Sequence, residues 1–319
     1  MIILTQIVIG FLLLFAGGES VVRSALKISQ RFNVSKSLLG LTVVAYATSA
    51  PEMFISVLSA LDDHHQIALG NVMGSNIANT LLIFGLCSII APVTILKKAV
   101  NLDMRFLILA NIALIIFSSL GVISRLEGFI LFFLLIIYTY VTFKLTYNSQ
   151  SISSDFSKDI ENSIKYKLGT ISAFILLLLG VVLLLIGAKV LIMGCVSLAL
   201  SFNIPQSVIA VTIIAIGGSA PEISTTLIAA MRKHSDLAVS NLVGSNIFNI
   251  LGVIGVTSLI NPISTLSSTL ATFDIWFMLF TAILLFAVGY TYKKISRVTG
   301  TIFLLTYILY LAWEISLIL

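Results

Sequence analysis

The stretch Gly40–Glu52 reads GLTVVAYATSAPE, and it is repeated 170 residues later as AVTIIAIGGSAPE at Ala210–Glu222. The same offset aligns Gly70–Asn79, GNVMGSNIAN, with Ser240–Asn249, SNLVGSNIFN. The matches fall on Gly, Ser, Asn, Pro and Glu, which agree by chance much less often than the Leu, Ile and Val of an apolar chain. The sequence therefore predicts an internal duplication.

The composition places the duplicated chain in a membrane. Of its 319 residues, 59% are hydrophobic and only 10% are charged, whereas soluble domains carry about 25% charged residues. Apolar runs of about 20 residues, the length that crosses a bilayer as a helix, recur from end to end. We therefore expect an all-α integral membrane protein. Its ten predicted spans are 2–22, 37–60, 68–92, 104–123, 127–147, 169–198, 206–230, 237–260, 270–291 and 298–317.

The basic residues predict an orientation for these spans. Lys and Arg near helix ends favour the cytoplasmic side. With both termini outside, 16 of the 18 basic residues fall in inward loops, leaving Arg125 outside and Lys189 within a helix. The inward residues are Arg23, Lys27, Arg31, Lys36, Lys97, Lys98, Arg105, Lys144, Lys158, Lys165, Lys167, Arg232, Lys233, Lys293, Lys294 and Arg297.

The halves predict an inverted repeat. We assign residues 1–147 and 168–319 to two five-helix repeats, joined by a Ser-rich cytoplasmic linker at residues 148–167. Because five is odd, the second repeat enters the membrane from the opposite side, a transporter design with its site at the repeat interface. Glu19 and Lys189 match at the same offset with opposite charges. Helix-end positions that reach the membrane surface are the favoured interpretation, and a mutual pair is the alternative.

Oxygen-bearing side chains share one helix face in each half. Residues three and four apart lie on the same face, and hard cations such as Na⁺ and Ca²⁺ take oxygen ligands. Pro51 and Pro221 each remove a helical N–H, which frees a carbonyl nearby. The face residues are Ser49, Glu52, Ser56, Asn71, Ser75 and Asn79, and then Ser219, Glu222, Thr226, Asn241, Ser245 and Asn249.

Glu52 and Glu222 carry the strongest indication of a cation site. A charged side chain at the bilayer centre costs about 2.5–3.5 kcal/mol on insertion scales. Both glutamates lie inside predicted spans, at matched positions, with no Lys or Arg within a helical turn. A cation between them would offset that cost. Structural hydrogen bonding between helices is the competing interpretation, strongest for Ser56 and Thr226.

These motifs resemble those of the cation/calcium exchanger superfamily, in particular its Na⁺/Ca²⁺ exchanger branch of prokaryotic type. Residues 47–52 (ATSAPE) and 217–222 (GGSAPE) match the family pattern G-T-S-x-P-E/D. Residues 74–79 (GSNIAN) and 244–249 (GSNIFN) match its G-S-N-x-x-N/D. The resemblance spans essentially the whole chain and implies ten helices around a central cation site.

The resemblance also implies which residues hold the ions. Glu52 and Glu222 would bind Ca²⁺ with main-chain oxygens of Thr48 and Gly218, while Asn79 and Asn249 would complete the central position. Na⁺ would use the same glutamates together with Ser49, Ser75, Ser219, Ser245 and the carbonyls of Ala45 and Ala215. Exchange of three Na⁺ for one Ca²⁺ by alternating access, driven by sliding of the first and sixth helices, is implied as well.

Three positions depart from the family pattern. Ala47 replaces a Gly, and Gly218 replaces a Thr, which deletes a hydroxyl beside one sodium position. Asn249 stands where many relatives have Asp. The site thus carries two formal negative charges, which balance one Ca²⁺ and leave one positive charge over when three Na⁺ bind. This favours electrogenic exchange without K⁺.

Two other functions stay open at this point: an H⁺/Ca²⁺ antiporter of the same superfamily, and a cation channel, since carbonyl-lined or charged constrictions also conduct. An enzyme is not expected, because the chain has no H-E-x-x-H motif. Besides Ca²⁺, Na⁺ and the lipid bilayer we expect no partner, no nucleic acid and no cofactor. We expect a monomer in a microbial plasma membrane.

Overall fold

A computed structural model describes residues 2–32, 34–149, 169–202, 204, 212–213, 215–265 and 269–318, and every structural statement below concerns these residues. The chain is almost entirely helical. The first half contains α1 Ile2–Phe32, α2 Lys36–Leu39, the π-helical segment π1 Gly40–Val44, α3 Ala45–Thr48, α4 Ala50–Leu61, α5 His65–Ile77, π2 Ala78–Ile83, α6 Phe84–Ile90, β1 Val93–Thr94, π3 Ala99–Met104, α7 Arg105–Ser119, β2 Val122–Ile123 and α8 Arg125–Ser149.

The second half repeats most of these elements at the same offset. It contains α9 Thr170–Ser201, α10 Ala215–Gly218, α11 Ala220–Met231, α12 Ser235–Phe248, π4 Asn249–Ile254, α13 Gly255–Ile260, β3 Ile263–Ser264, α14 Thr269–Tyr292, β4 Lys294–Ile295 and α15 Arg297–Ile318. The linker predicted at residues 148–167 lies outside the described residues except for the end of α8. The predicted boundaries of the halves therefore stay predictions.

Nine of the ten predicted spans can be traced. Eight described helices are long and apolar enough to cross a membrane, and Lys36–Thr48 with Ala50–Leu61 forms a ninth span bent by 43°. Of the predicted span 206–230, residues 206–211 and 214 lie outside the described part, so ten helices remain a prediction. The predicted end of the first span at residue 22 is wrong, because α1 continues through Phe32 with Ala25, Leu26 and Ile28 still buried.

The first helices of the two halves, α1 and α9, pack against each other in opposite directions. Gly10 of α1 lies against Leu191 of α9, Gly17 lies against Gly180 and Leu184, and Gly194 lies against Ile7. Rising residue numbers on α1 thus meet falling numbers on α9. Because these helices begin equivalent halves of the sequence, the two halves run through the bundle with inverted topology.

Two short β-ribbons and two turns between helices define opposite faces of the bundle. The turns, at residues 62–64 and 232–234, each join a pair of helices and are called hairpins below. β1 pairs with β4 and β2 pairs with β3, both antiparallel, so each ribbon takes one strand from each half. The hairpin 62–64 lies on the face with β2 and β3, where Asn261 donates to the carbonyl of Ala60. The hairpin 232–234 lies at the other end, with β1 and β4. We call these the Asp62 face and the Arg232 face.

The helices that follow the two hairpins form the centre of the bundle. In His65–Ile90 and Ser235–Ile260, 78% and 83% of the most apolar stretch is buried, against 22–39% in the other candidate spans. The outer helices expose large apolar side chains such as Leu126, Ile175 and Leu309. A buried polar centre inside an apolar exterior is the arrangement that a bilayer requires.

Candidate cation-binding site

Both halves break a helix at the same motif residue. Ser49 separates α3 from α4 with φ −89° and ψ 8°, and Ser219 separates α10 from α11 with φ −84° and ψ 10°. Pro51 and Pro221 follow in the first turn of the new helices. A proline fits there because its missing N–H would have no intrahelical partner at that position. The sequence therefore builds the same broken helix twice.

The breaks place Glu52 and Glu222 in the buried centre. Their exposed fractions are 1% and 0%, so both carboxyl groups lie away from water. Ser49 Oγ donates to Glu222 Oε1 at 2.9 Å, a contact that joins the two halves. Within the described residues, neither glutamate forms a salt bridge, and both oxygens of Glu52 and Oε2 of Glu222 have no protein hydrogen-bond partner.

Asn79 and Asn249 present further oxygens from the two central helices. Asn79 lies in π2 and Asn249 begins π4, and π-helical turns within α-helices are frequent at functional sites. Their amide nitrogens are already used: Asn79 donates to Asn246 Oδ1 at 2.9 Å, and Asn249 donates to Ser75 Oγ and Asn76 Oδ1 at 3.1 Å each. Each Oδ1 remains without a protein partner.

Asn76 and Asn246 are positioning residues that sequence reasoning did not single out. Asn76 Nδ2 donates to the carbonyl of Asn246 at 3.1 Å, and Asn246 Nδ2 donates to Thr80 Oγ1 at 3.1 Å. Together with the bonds to Asn79 and Asn249, these contacts hold the two central helices in register. The signal for them was present, since both asparagines match at the 170-residue offset.

Asn71 and Asn241 support the two broken helices from behind. Asn71 Nδ2 donates to the carbonyl of Glu52 and to Ser56 Oγ, at 3.0 Å each. Asn241 Nδ2 donates to Thr225 Oγ1 at 3.1 Å and to Thr226 Oγ1 at 3.0 Å. Ser56 and Thr226 thus hydrogen-bond between helices, in agreement with the structural interpretation of these two residues.

The remaining predicted ligands differ in whether their oxygens already have a hydrogen-bond partner in the protein. Ser219 Oγ and Ser245 Oγ are buried without a protein partner, whereas Ser75 Oγ donates to the carbonyl of Val72 at 3.2 Å. Thr48 Oγ1 donates to the carbonyl of Ala45 at 3.2 Å, and Ser49 N–H donates to the same oxygen at 3.0 Å. Ala215 begins α10 and Gly218 ends it.

The chemistry of this donor set fits a hard cation. Seven oxygens of the predicted ligands have no protein partner: three carboxylate oxygens, two amide oxygens and two hydroxyls, from Glu52, Glu222, Asn79, Asn249, Ser219 and Ser245. Ca²⁺ takes six to eight oxygen ligands. In the described part of the chain, no three of His, Cys, Asp and Glu cluster as a soft-metal site would require. Buried, uncompensated negative charge and free oxygens together favour Na⁺ and Ca²⁺.

Comparison with known proteins agrees with this geometry. The sodium/calcium exchanger protein family matches residues 2–144 and 172–316. The putative antiporter CaxA of Alkalimonas amylolytica is 31% identical over 314 residues, which is 95% of this chain and 96% of its own length. The sodium/calcium exchanger MaX1 of Methanosarcina acetivorans is 27% identical over 96% of both chains.

The solved structures include a similar fold. The sodium-calcium exchanger NCX_Mj, in crystals soaked with Na⁺ and Ca²⁺, superimposes with a TM-score of 0.82 at 29% identity, covering 98% of both chains. A family match over both halves, a whole-length structural match and a duplicated oxygen-lined centre lead to one conclusion. This chain belongs to the sodium/calcium exchanger family of membrane cation exchangers.

Proposed function

We propose that this protein is a secondary antiporter that moves Na⁺ in one direction and Ca²⁺ in the other through one shared site. The observation that carries the proposal is the pair Glu52 and Glu222. Both are fully buried, both are free of any salt bridge within the described residues, and together they leave three carboxylate oxygens without protein partners. Such a pair is costly in a membrane unless a cation neutralises it.

The charge of the site favours electrogenic exchange. With Asn79 and Asn249 neutral, the two carboxylates balance one Ca²⁺, and three Na⁺ on the same groups leave one net positive charge. Each cycle with this stoichiometry moves one charge across the membrane. The Arg232 face carries Lys293 and Lys294 close by, and a basic surface supports its assignment to the cytoplasm of a microbial cell. A monomer suffices, because both half-sites lie in one chain.

Sodium coupling is tested by ⁴⁵Ca²⁺ uptake into proteoliposomes loaded with Na⁺. We expect uptake that requires internal Na⁺, with choline-loaded vesicles as the control. A third set carries only a pH gradient. Uptake driven by that gradient alone would assign the chain to H⁺/Ca²⁺ antiport, and rapid uptake without any driving ion would indicate a channel.

Electrogenicity predicts a dependence on membrane potential. If three Na⁺ leave the vesicle for each Ca²⁺ that enters, an inside-positive potential accelerates ⁴⁵Ca²⁺ uptake and an inside-negative potential slows it. Valinomycin with K⁺ gradients of either direction sets the potential, and equal K⁺ on both sides is the control. Uptake at a rate independent of the membrane potential, or uptake that requires K⁺ in the absence of valinomycin, would contradict the net movement of one charge per cycle.

Gly218 offers a test of the sodium positions. A Cβ built at Gly218 meets no atom of the described residues within 4 Å, so a larger side chain fits. The matched residue of the first half is Thr48. We expect Gly218→Thr to add a ligand oxygen and to lower the Na⁺ concentration for half-maximal uptake severalfold, since one such contact contributes about 0.5–1.5 kcal/mol. Gly218→Val, which has the same shape but no hydroxyl, is the control and is expected to give no gain.

A further inference from the structure

The Arg232 face is closed by an ion pair between α1 and the hairpin that follows α11. Arg232 Nε donates to Glu19 Oε2 at 2.8 Å, and its second nitrogen donates to Oε1 of the same carboxylate. Arg23 also bonds to Glu19, so the predicted alternative, a pair between Glu19 and Lys189, is not formed. A two-point Arg–carboxylate pair fixes geometry more strictly than a single contact.

The same hairpin is tied to the first half a second time. Lys36 Nζ lies 3.3 Å from Nδ1 of His234. Burial, with the positive charge of Lys36, lowers the pKa of His234, so at neutral pH the ring is uncharged and Nδ1 can accept this contact. Both contacts hold the hairpin 232–234 against the helices of the other half.

Apolar packing accompanies the ion pair. At Gly18 of α1 a Cβ would lie 2.6 Å from Ser224 Oγ and 2.8 Å from Ile228 Cδ1, both on α11. Ser224 Oγ donates to the carbonyl of Leu14 at 2.5 Å. As a result Ile228 is only 5% exposed. On this face α1 covers α11.

The Asp62 face shows the opposite state at matched positions. Leu58 corresponds to Ile228 at the 170-residue offset, yet Leu58 is 58% exposed. Helix α9, the counterpart of α1, does not cover α4 as α1 covers α11. The halves have equivalent sequences and different packing: α1 covers α11 at the Arg232 face, whereas α4 stays exposed at the Asp62 face.

The charges of the closing ion pair are duplicated with their signs exchanged. At the offset of 170 residues, Glu19 corresponds to Lys189 and Arg232 corresponds to Asp62. The two hairpins also share their backbone shape, since Asp63 and Lys233 have φ of 58° and 62°. Lys189 and Asp62 are both exposed, and neither forms an ion pair within the described residues. A second pair of opposite charges, with exchanged signs, is therefore present at the matched positions and is not joined in this structure.

We propose that Glu19–Arg232 and Lys189–Asp62 form in alternation, each closing one face of the bundle while the cation site opens to the other. Inverted repeats reach a second state when each half adopts the packing of the other. In that state α9 covers α4, buries Leu58 and brings Lys189 to Asp62, while α1 withdraws from α11 and exposes Ile228. The proposal rests on the proposed exchange function and names four residues that set the balance between its two states.

The test is cross-linking of engineered cysteines, in a background with Cys87→Ala and Cys195→Ala, using a short bifunctional thiol reagent in proteoliposomes. One protein carries Glu19→Cys with Arg232→Cys, and a second carries Asp62→Cys with Lys189→Cys. We expect the first pair to link readily and the second to link during ion exchange, when the other state is visited. We also expect an ion that lowers the cross-linking rate of one cysteine pair to raise the rate of the other.

A further substitution then tests whether the Glu19–Arg232 ion pair opposes the second state. Adding Glu19→Gln to the Asp62→Cys, Lys189→Cys protein removes the opposing ion pair and is expected to raise its linking rate about fivefold, the factor that corresponds to about 1 kcal/mol. Lys27→Gln, a charge removal on the same helix, is the control and leaves the rate unchanged. The first cysteine pair shows that the background folds, because it links in the state described here.

Two results would overturn the proposal: no link between positions 62 and 189 under any ion condition, or an equal rate with and without Glu19→Gln. Cross-linking reports geometry and not ion identity. An H⁺-coupled chain would therefore still show alternating links, whereas Na⁺-driven uptake without them would leave the exchange function standing and remove only the ion-pair mechanism.

Discussion

Glu52→Gln and Glu222→Gln are each expected to reduce Na⁺-driven ⁴⁵Ca²⁺ uptake by about a hundredfold or more. The amide keeps the shape of the side chain and removes its charge, and loss of one partner from a buried charge pair costs about 2–5 kcal/mol. Glu52 Oε1 and Oε2 form no protein hydrogen bond that the substitution could break, and in Glu222→Gln the amide oxygen can still accept the hydrogen bond from Ser49 Oγ. The variants should therefore insert and purify like the parent protein.

The matched control for these variants is Glu127→Gln. Glu127 lies near the start of α8, where it accepts a hydrogen bond from the N–H of Ser124 at 2.9 Å. Within the described residues its hydrogen bonds are to Ser124 and to no residue of the cation site. Its neutralisation is expected to leave uptake unchanged. If both Glu52→Gln and Glu222→Gln retained the uptake of the parent, these residues would not bind the transported ion.

Gly17→Val is expected to have the second large effect, through the contact between α1 and α9. A Cβ at Gly17 would lie 2.8 Å from the carbonyl oxygen of Gly180 and 2.8 Å from the backbone nitrogen of Leu184. Backbone atoms cannot yield as a flexible side chain does, so the two helices must separate. Overpacking of this kind costs about 1–3 kcal/mol or more. We expect a lower melting temperature in detergent and strongly reduced uptake.

The adjacent position supplies the control. Ala16 is exposed on α1, and Ala16→Val adds a comparable volume without meeting α9. It should melt and transport like the parent protein. Equal behaviour of Gly17→Val and Ala16→Val would show that close contact between α1 and α9 is not needed for either stability or transport.

The sequence was most informative where its two halves agree. Glu52 and Glu222, the serines at 49 and 219 and the asparagines at 79 and 249 were all identified because polar residues rarely recur by chance at one offset, and the structure buries all of these residues. The roles of Asn76 and Asn246 were missed because an asparagine's hydrogen-bond partners depend on tertiary contacts. Their positions in the motif could have raised the question.

The sequence was least informative where the two halves differ in conformation. Leu58 and Ile228 occupy matched positions, and periodicity assigns them the same environment, yet one is exposed and the other is buried. In the proposed alternation of the two ion pairs, this difference is expected, because the structure corresponds to one of the two states. Glu19 was likewise predicted to reach the surface or to pair with Lys189, while its partner Arg232 lies 213 residues away and becomes a neighbour only through the fold.

Calorimetric titration of the purified protein with Ca²⁺, at several fixed Na⁺ concentrations, tests the central claim most directly. A single site shared by both ions predicts one Ca²⁺ bound per chain, an apparent Kd that rises as Na⁺ is added, and no Ca²⁺ binding in Glu52→Gln or Glu222→Gln. Ca²⁺ binding that ignores Na⁺, or that persists in both glutamine variants, would contradict the shared site between these two glutamates.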